Sequence, residues 1–248
     1  MKRFEFEGEI VWRPSAELIA QSNLKRFMDR HGIASLDELQ RKSTTDLEWF
    51  WNAVIETLDI RFDKPYSKII DTSRGIPWTQ WCVGGEMNIV QNCLDKYAGT
   101  DTDSRIALRW EGELEASIRT LTYSELRSEV QRAANYLRTL GFGKGDVIGV
   151  FMPLVPECVI AMLAIIRIGA VFLPLFSGFG AQAVATRLSN AGAKGLFTVS
   201  EFQRRGQKVA MKKTADEAAG MVPNVRVILP EWQSYSSESQ VERTSAED

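Results

Sequence analysis

The sequence predicts an α/β fold: a mostly parallel sheet with helices on both faces, preceded by a helical, aromatic-rich N-terminal segment. Three observations carry that prediction. From residue 105 to about 229, strand-like and helix-like stretches alternate. The strand-like stretches are nearly continuous in apolar residues, as in Asp146–Met152 (DVIGVFM), which suits strands buried on both faces. The chain has 248 residues, 44% hydrophobic and 25% charged, enough to bury a substantial core. Right-handed crossovers then bring all strand C-termini to one edge of the sheet, where ligands bind in such folds.

Residues 1–100 hold helical pieces at Ser15–Arg30 and Ser35–Leu58. The first closes with Arg30, His31 and Gly32. Cations in a last turn followed by glycine form a helix stop, so His31 reads as a helix-end residue. Trp12, Trp49, Trp51, Trp78 and Trp81 lie in this zone, where large aromatics supply burial between irregular segments.

Residues 101–230 begin with two short strands, Arg105–Trp110 and Ser117–Tyr123, around a Glu111-Gly112-Glu113 turn. A helix from Thr122 to Leu140 follows. Thr122 and Glu125 form a capping box, and Leu126, Val130, Ala133, Leu137 and Leu140 line one face. Gly141 stops it. Asp146–Met152 is a buried strand, and Pro156 opens a helix that runs through Ile168. Ala170–Phe176 is the next strand, Ala181–Ala191 a helix ended by Gly192, and Gly195–Val199 a strand. A further helical stretch leads to a last strand at Val225–Leu229. Residues 231–248 are rich in Ser, Gln and Glu, with Trp232, Tyr235 and Val241 as their large apolar residues, and read as a disordered tail. No internal repeat is present.

Composition excludes several functions. Lys plus Arg number 30 against 32 Asp plus Glu, so neither nucleic acid nor an anionic membrane is an expected partner. Cys82, Cys93 and Cys158 form no CxxC pair, and a single histidine cannot build an imidazole metal site. The charged start lacks the apolar run of a secretory leader. The apolar region from Cys158 to Phe176 is interrupted by Arg167, which costs about 3 kcal/mol in a bilayer core. Gly169 and Pro174 fit a buried helix, turn and strand instead. A cytoplasmic location is expected. No GxxxxGK[ST], HExxH or GxSxG pattern occurs. Thr72–Pro77 lacks the second glycine and the lysine of a nucleotide loop and reads as a connecting turn.

Two stretches have chemistry to offer. Phe176-Ser177-Gly178-Phe179-Gly180 runs from a strand into a helix. Glycines there let backbone amides approach a phosphate, and the helix start supplies partial positive charge. The other reading is an ordinary turn that needs glycine for its dihedrals. Arg204-Arg205-Gly206-Gln207-Lys208, with Lys212 and Lys213, is basic and reaches the same edge. Arginine there pairs with phosphate, or else the stretch is a solvated helix face. Gly141–Asp146 runs from helix to strand, the wrong direction for a phosphate cradle.

Five motifs in order resemble one family. They are Trp81-Cys82-Val83-Gly84-Gly85-Glu86-Met87-Asn88-Ile89 with Asn92–Asp95, Leu121–Leu126 (LTYSEL), Gly145–Pro153 with Pro156-Glu157, Ala161–Val171, and Phe176–Phe179. The chain is identified by them as resembling the N-terminal part of acetyl-CoA synthetase-like, AMP-forming acyl-CoA ligases. The resemblance spans about residues 40 to 210. It implies a helical segment that wraps the main domain, and an incomplete first α/β subdomain of an AMP-binding domain. It implies a reaction in which a carboxylate attacks ATP to give an acyl-adenylate and pyrophosphate, after which CoA displaces AMP. It also implies a CoA site at Phe176, Ser177, Gly178 and Arg204. A second family arginine falls on Gln207, leaving Arg205 or Lys208 as substitutes. The family's T[ST]G[ST]TGxPKG loop is absent from the sequence, as is its catalytic lysine domain. ATP and Mg²⁺ are therefore expected only with a full-length enzyme, and no catalytic or metal residue is assigned here. The expectation is a truncated or split ligase portion, inactive alone, whose partner is the missing C-terminal portion or a full-length ligase. The alternative is a non-catalytic CoA-binding or interaction module.

Overall fold

The computed structural model describes residues 11–113 and 118–238. The chain divides into two compact units, Met1–Glu86 and Met87–Asp248.

The first unit holds four helices, α1 (Ala16–Gln21), α2 (Asn23–Arg30), α3 (Leu36–Thr45) and α4 (Leu47–Thr57). Each of the two expected helical pieces is thus a pair of helices. The chain leaves the helical region at Ser22 and at Asp46, and each of those side chains caps the helix that follows, accepting from the backbone N–H of Lys25 and of Trp49. Phe27, Met28, Ile33, Leu39 and Ala53 are buried against Trp49, Phe50 and Val54. His31 is the C-cap of α2, and its ring lies 4.7 Å from that of Phe27 and edge-on to Trp49. Strands β1 (Lys68–Asp71) and β2 (Gln80–Val83) pair antiparallel. Trp49 packs as expected of a core aromatic, whereas Trp12 and Trp78 are exposed.

The second unit is built on a sheet. Helix α5 (Ile89–Cys93) comes first, then the antiparallel pair β3 (Ile106–Glu111) and β4 (Ile118–Thr122). Helix α6 (Tyr123–Thr139) carries the capping box of Thr122 and Glu125. Then follow β5 (Val147–Phe151), α7 (Pro156–Arg167), β6 (Val171–Leu175), α8 (Ala181–Ala191) and β7 (Gly195–Phe197). The short strands β8 (Phe202–Arg204) and β9 (Gln207–Val209), helix α9 (Met211–Gly220) and β10 (Arg226–Ile228) complete it. The sheet runs in the order β10-β7-β5-β6, with every pair parallel.

Alternating side chains of β5 divide between two cores. Ile148 and Val150 join residues of α6 and α7. Phe151 joins Leu175, Leu196 and residues of α8 and α9. Gly149 faces α8: a Cβ there would lie 2.9 Å from Leu188 Cδ2 and 3.1 Å from carbons of Leu175 and Leu196. The chain therefore crosses one face to reach β6 and the other face to reach β7. The strand order reverses between β5 and β7, and such sheets open a crevice at their carboxyl edge at that switch.

Two expectations are corrected. The basic stretch Arg204–Lys208 is a β-hairpin, not a helix face, because Arg205 (φ 51°) and Gly206 (φ 73°) supply the two positive dihedrals of a two-residue hairpin turn. The polar tail packs over its first eight residues. Trp232 is fully buried beside Phe197, and its Nε1 donates to Glu129 Oε2 at 3.1 Å. Tyr235 packs at a tilt against Tyr136, and Asn135 Nδ2 donates to the carbonyls of Ser236 and Glu238. Two aromatic anchors outweigh the polar average of the segment. Residues 239–248 lie outside the described residues.

Candidate functional site

The candidate site lies at the carboxyl edge, where residues 176–180 follow β6 and the β8–β9 hairpin follows β7. Phe179 N–H donates to Phe176 O at 3.0 Å and closes the glycine turn. The rings of Phe176 and Phe179 meet edge-on at 5.5 Å. Gly178 leaves room for that pair, since a Cβ there would come 2.6 Å from Phe176 Cε1 and push the ring aside. Gly180 is the N-cap of α8 and brings no capping side chain. Ala183 N–H donates to Gly180 O, while the amides of Ala181 and Gln182 keep their donors for another partner. Phe176 is 62% exposed, Ser177 half-buried and Gly178 exposed.

Arg204 ends β8 and Arg205 begins the hairpin turn, and both are exposed. Among the described residues neither guanidinium has an ion-pair partner. Phe202 and Val209 pack on the same apolar cluster as Phe179, which gives the hairpin and the glycine turn a common floor. Arg204 stands two residues from Phe202, on the same face of the hairpin. Gln207 is its direct cross-strand neighbour, so the two side chains emerge about 5 Å apart. Lys208 points to the opposite face and pairs with Glu201 at 2.6 Å, so of the two candidate substitutes Arg205 is the uncommitted one. Strand β5 separates β6 from β7, so the two loops stand on the order of 10 Å apart. No hydrogen bond among the described residues joins them directly.

Two side chains here gave no signal in the sequence. The Arg187 guanidinium sits 4.1 Å over the Phe179 ring, six residues after the helix start at Ala181. Glu113 accepts from Gly206 N–H at 3.4 Å across a long sequence separation. Open hollows of about 470 and 440 Å³ lie along α6 rather than at this edge, and their charges are paired, as in Arg119–Glu157 and Arg167–Asp95. No cluster of three metal-ligating side chains occurs among the described residues, and no helix there is long and apolar enough to cross a membrane.

Comparison with known proteins bears on the same residues. The model of the AMP-binding enzyme family matches residues 95–248, more than half of the chain. This chain belongs to the AMP-binding enzyme family. A second model, of the acetyl-coenzyme A synthetase N-terminus, matches residues 36–93. Acetyl-coenzyme A synthetase of Methanothrix soehngenii is 34% identical over 92% of this chain and 34% of its own length. The 3-hydroxypropionyl-coenzyme A synthetase of Sulfurisphaera tokodaii is 37% identical over 82% of this chain and 30% of its own. Among solved structures, acetoacetyl-CoA synthetase from Streptomyces lividans superposes with a TM-score of 0.80 at 32% identity, covering 88% of this chain and 34% of that one. The chain thus spans about a third of the length of these relatives. The resemblance drawn from the motifs holds, as does the α/β class with its parallel sheet and N-terminal helical segment.

Proposed function

We propose that this chain supplies the CoA-nucleotide half of an AMP-forming acid–thiol ligase, the class that converts carboxylate, ATP and CoA to acyl-CoA, AMP and pyrophosphate. The observation that carries this reading is the pair of uncommitted guanidiniums, Arg204 and Arg205, at the same sheet edge as the glycine turn. Uncommitted guanidiniums at the same edge as free backbone amides and an exposed aromatic face suit a phosphorylated nucleotide. Phe176 offers its ring to a base, Gly178 admits close backbone approach, and Ser177 adds a hydroxyl. When bound, CoA would supply the thiol that accepts the acyl group. The residues here bind and orient its nucleotide end, and they perform no bond-making step.

ATP and Mg²⁺ belong to the remainder of such an enzyme, since the glycine/threonine/lysine loop is not in this sequence. The partner is that remainder, or a full-length ligase. The chain acts in the cytoplasm, where Cys82, Cys93 and Cys158 stay reduced.

Calorimetry tests the reading. The chain should bind CoA, Arg204→Ala should weaken binding at least about tenfold, and the chain alone should show no turnover with acetate, ATP and CoA. Ligase activity from the isolated chain, or CoA binding indifferent to Arg204, would overturn it.

A further inference from the structure

We propose that the Glu113 carboxylate is a built-in competitor for the oxyanion at the Arg205–Gly206 turn, and this rests on the CoA reading above. The geometry begins with where the two hairpins come from. The β3–β4 pair is fastened to the α7 side of the sheet. Trp110 Nε1 donates to Leu154 O at 2.8 Å, in the loop after β5, and Arg119 pairs with Glu157 of the first turn of α7 at 2.7 Å. The β8–β9 hairpin follows β7, and its Phe202 and Val209 pack into the core shared by α8 and α9 on the other face. The two hairpins are linked by one contact, in which Gly206 N–H donates to Glu113 Oε2, two residues past the end of β3.

The donor is the one a phosphate would use. In a two-residue hairpin turn closed between Arg204 and Gln207, the middle amide of Gly206 has no ladder partner and points outward. The preceding residue of the turn, Arg205, carries a guanidinium with no ion-pair partner among the described residues. A backbone N–H next to an uncommitted guanidinium is a donor set for an oxyanion. Glu113 occupies half of that set with a carboxylate, the side chain closest in charge and shape to what it displaces. The contact is long, at 3.4 Å, and both residues are exposed, so the hold is weak and reversible. Glu111, at the end of β3, supplies a control, since it shares the turn and makes no hydrogen bond to the hairpin among the described residues.

The test titrates the full chain, Glu113→Gln and Glu111→Gln with CoA and with pyrophosphate, by calorimetry and by following the Gly206 amide resonance. Glu113→Gln should bind both probes about 2- to 5-fold tighter, the worth of one exposed charged contact. The Gly206 amide should shift on binding, and Glu111→Gln should match the wild type. Arg204-dependent binding that is equal in wild type and Glu113→Gln overturns the competitor and leaves the CoA reading standing. An equal gain in Glu111→Gln overturns it too, as a diffuse field effect. Pyrophosphate that binds tighter to Glu113→Gln and moves Gly206, while CoA fails to bind, supports the competitor and sinks the CoA reading. No binding of either probe to Glu113→Gln overturns both.

Discussion

The two ends of the parallel sheet are built to different standards. At the amino end, each loop is tied to its neighbour. Asp146 accepts from Gly143 N–H at 2.9 Å and from Lys194 Nζ at 2.6 Å. Gly145 N–H donates to Gly169 O, and Arg226 N–H to Lys194 O. At the carboxyl end, Leu154 is 90% exposed, Phe176 stands out, and Arg204 and Arg205 have no ionic partner among the described residues. One end satisfies its own polar groups and charges, and so contributes stability. The other leaves donors and apolar surface uncommitted, which costs stability and makes binding possible. The carboxyl end has exceptions, such as Trp110 on Leu154 O, the Arg119–Glu157 pair and Trp232, which closes the chain back onto the core after β10.

That contrast can be broken in four ways. Trp232→Ala has the largest expected effect: removing a fully buried indole beside Phe197 should cost about 3–5 kcal/mol in urea unfolding. A cost under about 1 kcal/mol would mean that the segment after β10 is not part of the core. Arg204→Ala should do the reverse, leaving the melting temperature unchanged while CoA affinity falls at least about tenfold. Asp146→Asn should lower stability at pH 7 by about 0.5–1 kcal/mol, in keeping with an ion pair whose lysine is largely exposed. The hydrogen bond from Lys194, then that from Gly143, holds the Asp146 carboxyl below its ordinary 3.8. A depressed folded value contributes stability above 3.8 that is lost as pH falls through the folded value. The wild type's advantage over Asp146→Asn should therefore fade below about pH 4, and an advantage that persists at pH 2 would contradict this. The smallest change is Gln207→Arg, which sets a second guanidinium across from Arg204 and should tighten CoA about 2- to 5-fold.

Much of the fold was legible because its signals are local. The capping box at Thr122, proline at the start of α7 and the apolar run of β5 each fix an element within a few residues. The breaks at Ser22 and Asp46 were not, because helix-forming residues continue on both sides while a single side chain turns the backbone out. Strands of three residues are too short to show a period, so β8 and β9 hid inside a charged run whose one hairpin cue was Arg205-Gly206. At the site, the glycine turn shows in sequence from its place between strand and helix, whereas Arg204 was singled out by resemblance. Glu113 was invisible, since its contact with Gly206 spans 93 positions and depends on where two hairpins are anchored.

Gly149 gives the sheet a consequence of its own. With only a hydrogen there, the leucine at position 188 settles into the strand, and α8 rides low over β5. The glycine turn is the lead-in to that helix, so its height above the sheet is set from underneath. A single added methyl in the floor would tilt Phe179 and the amides behind it, detuning the rim without touching any residue a ligand meets.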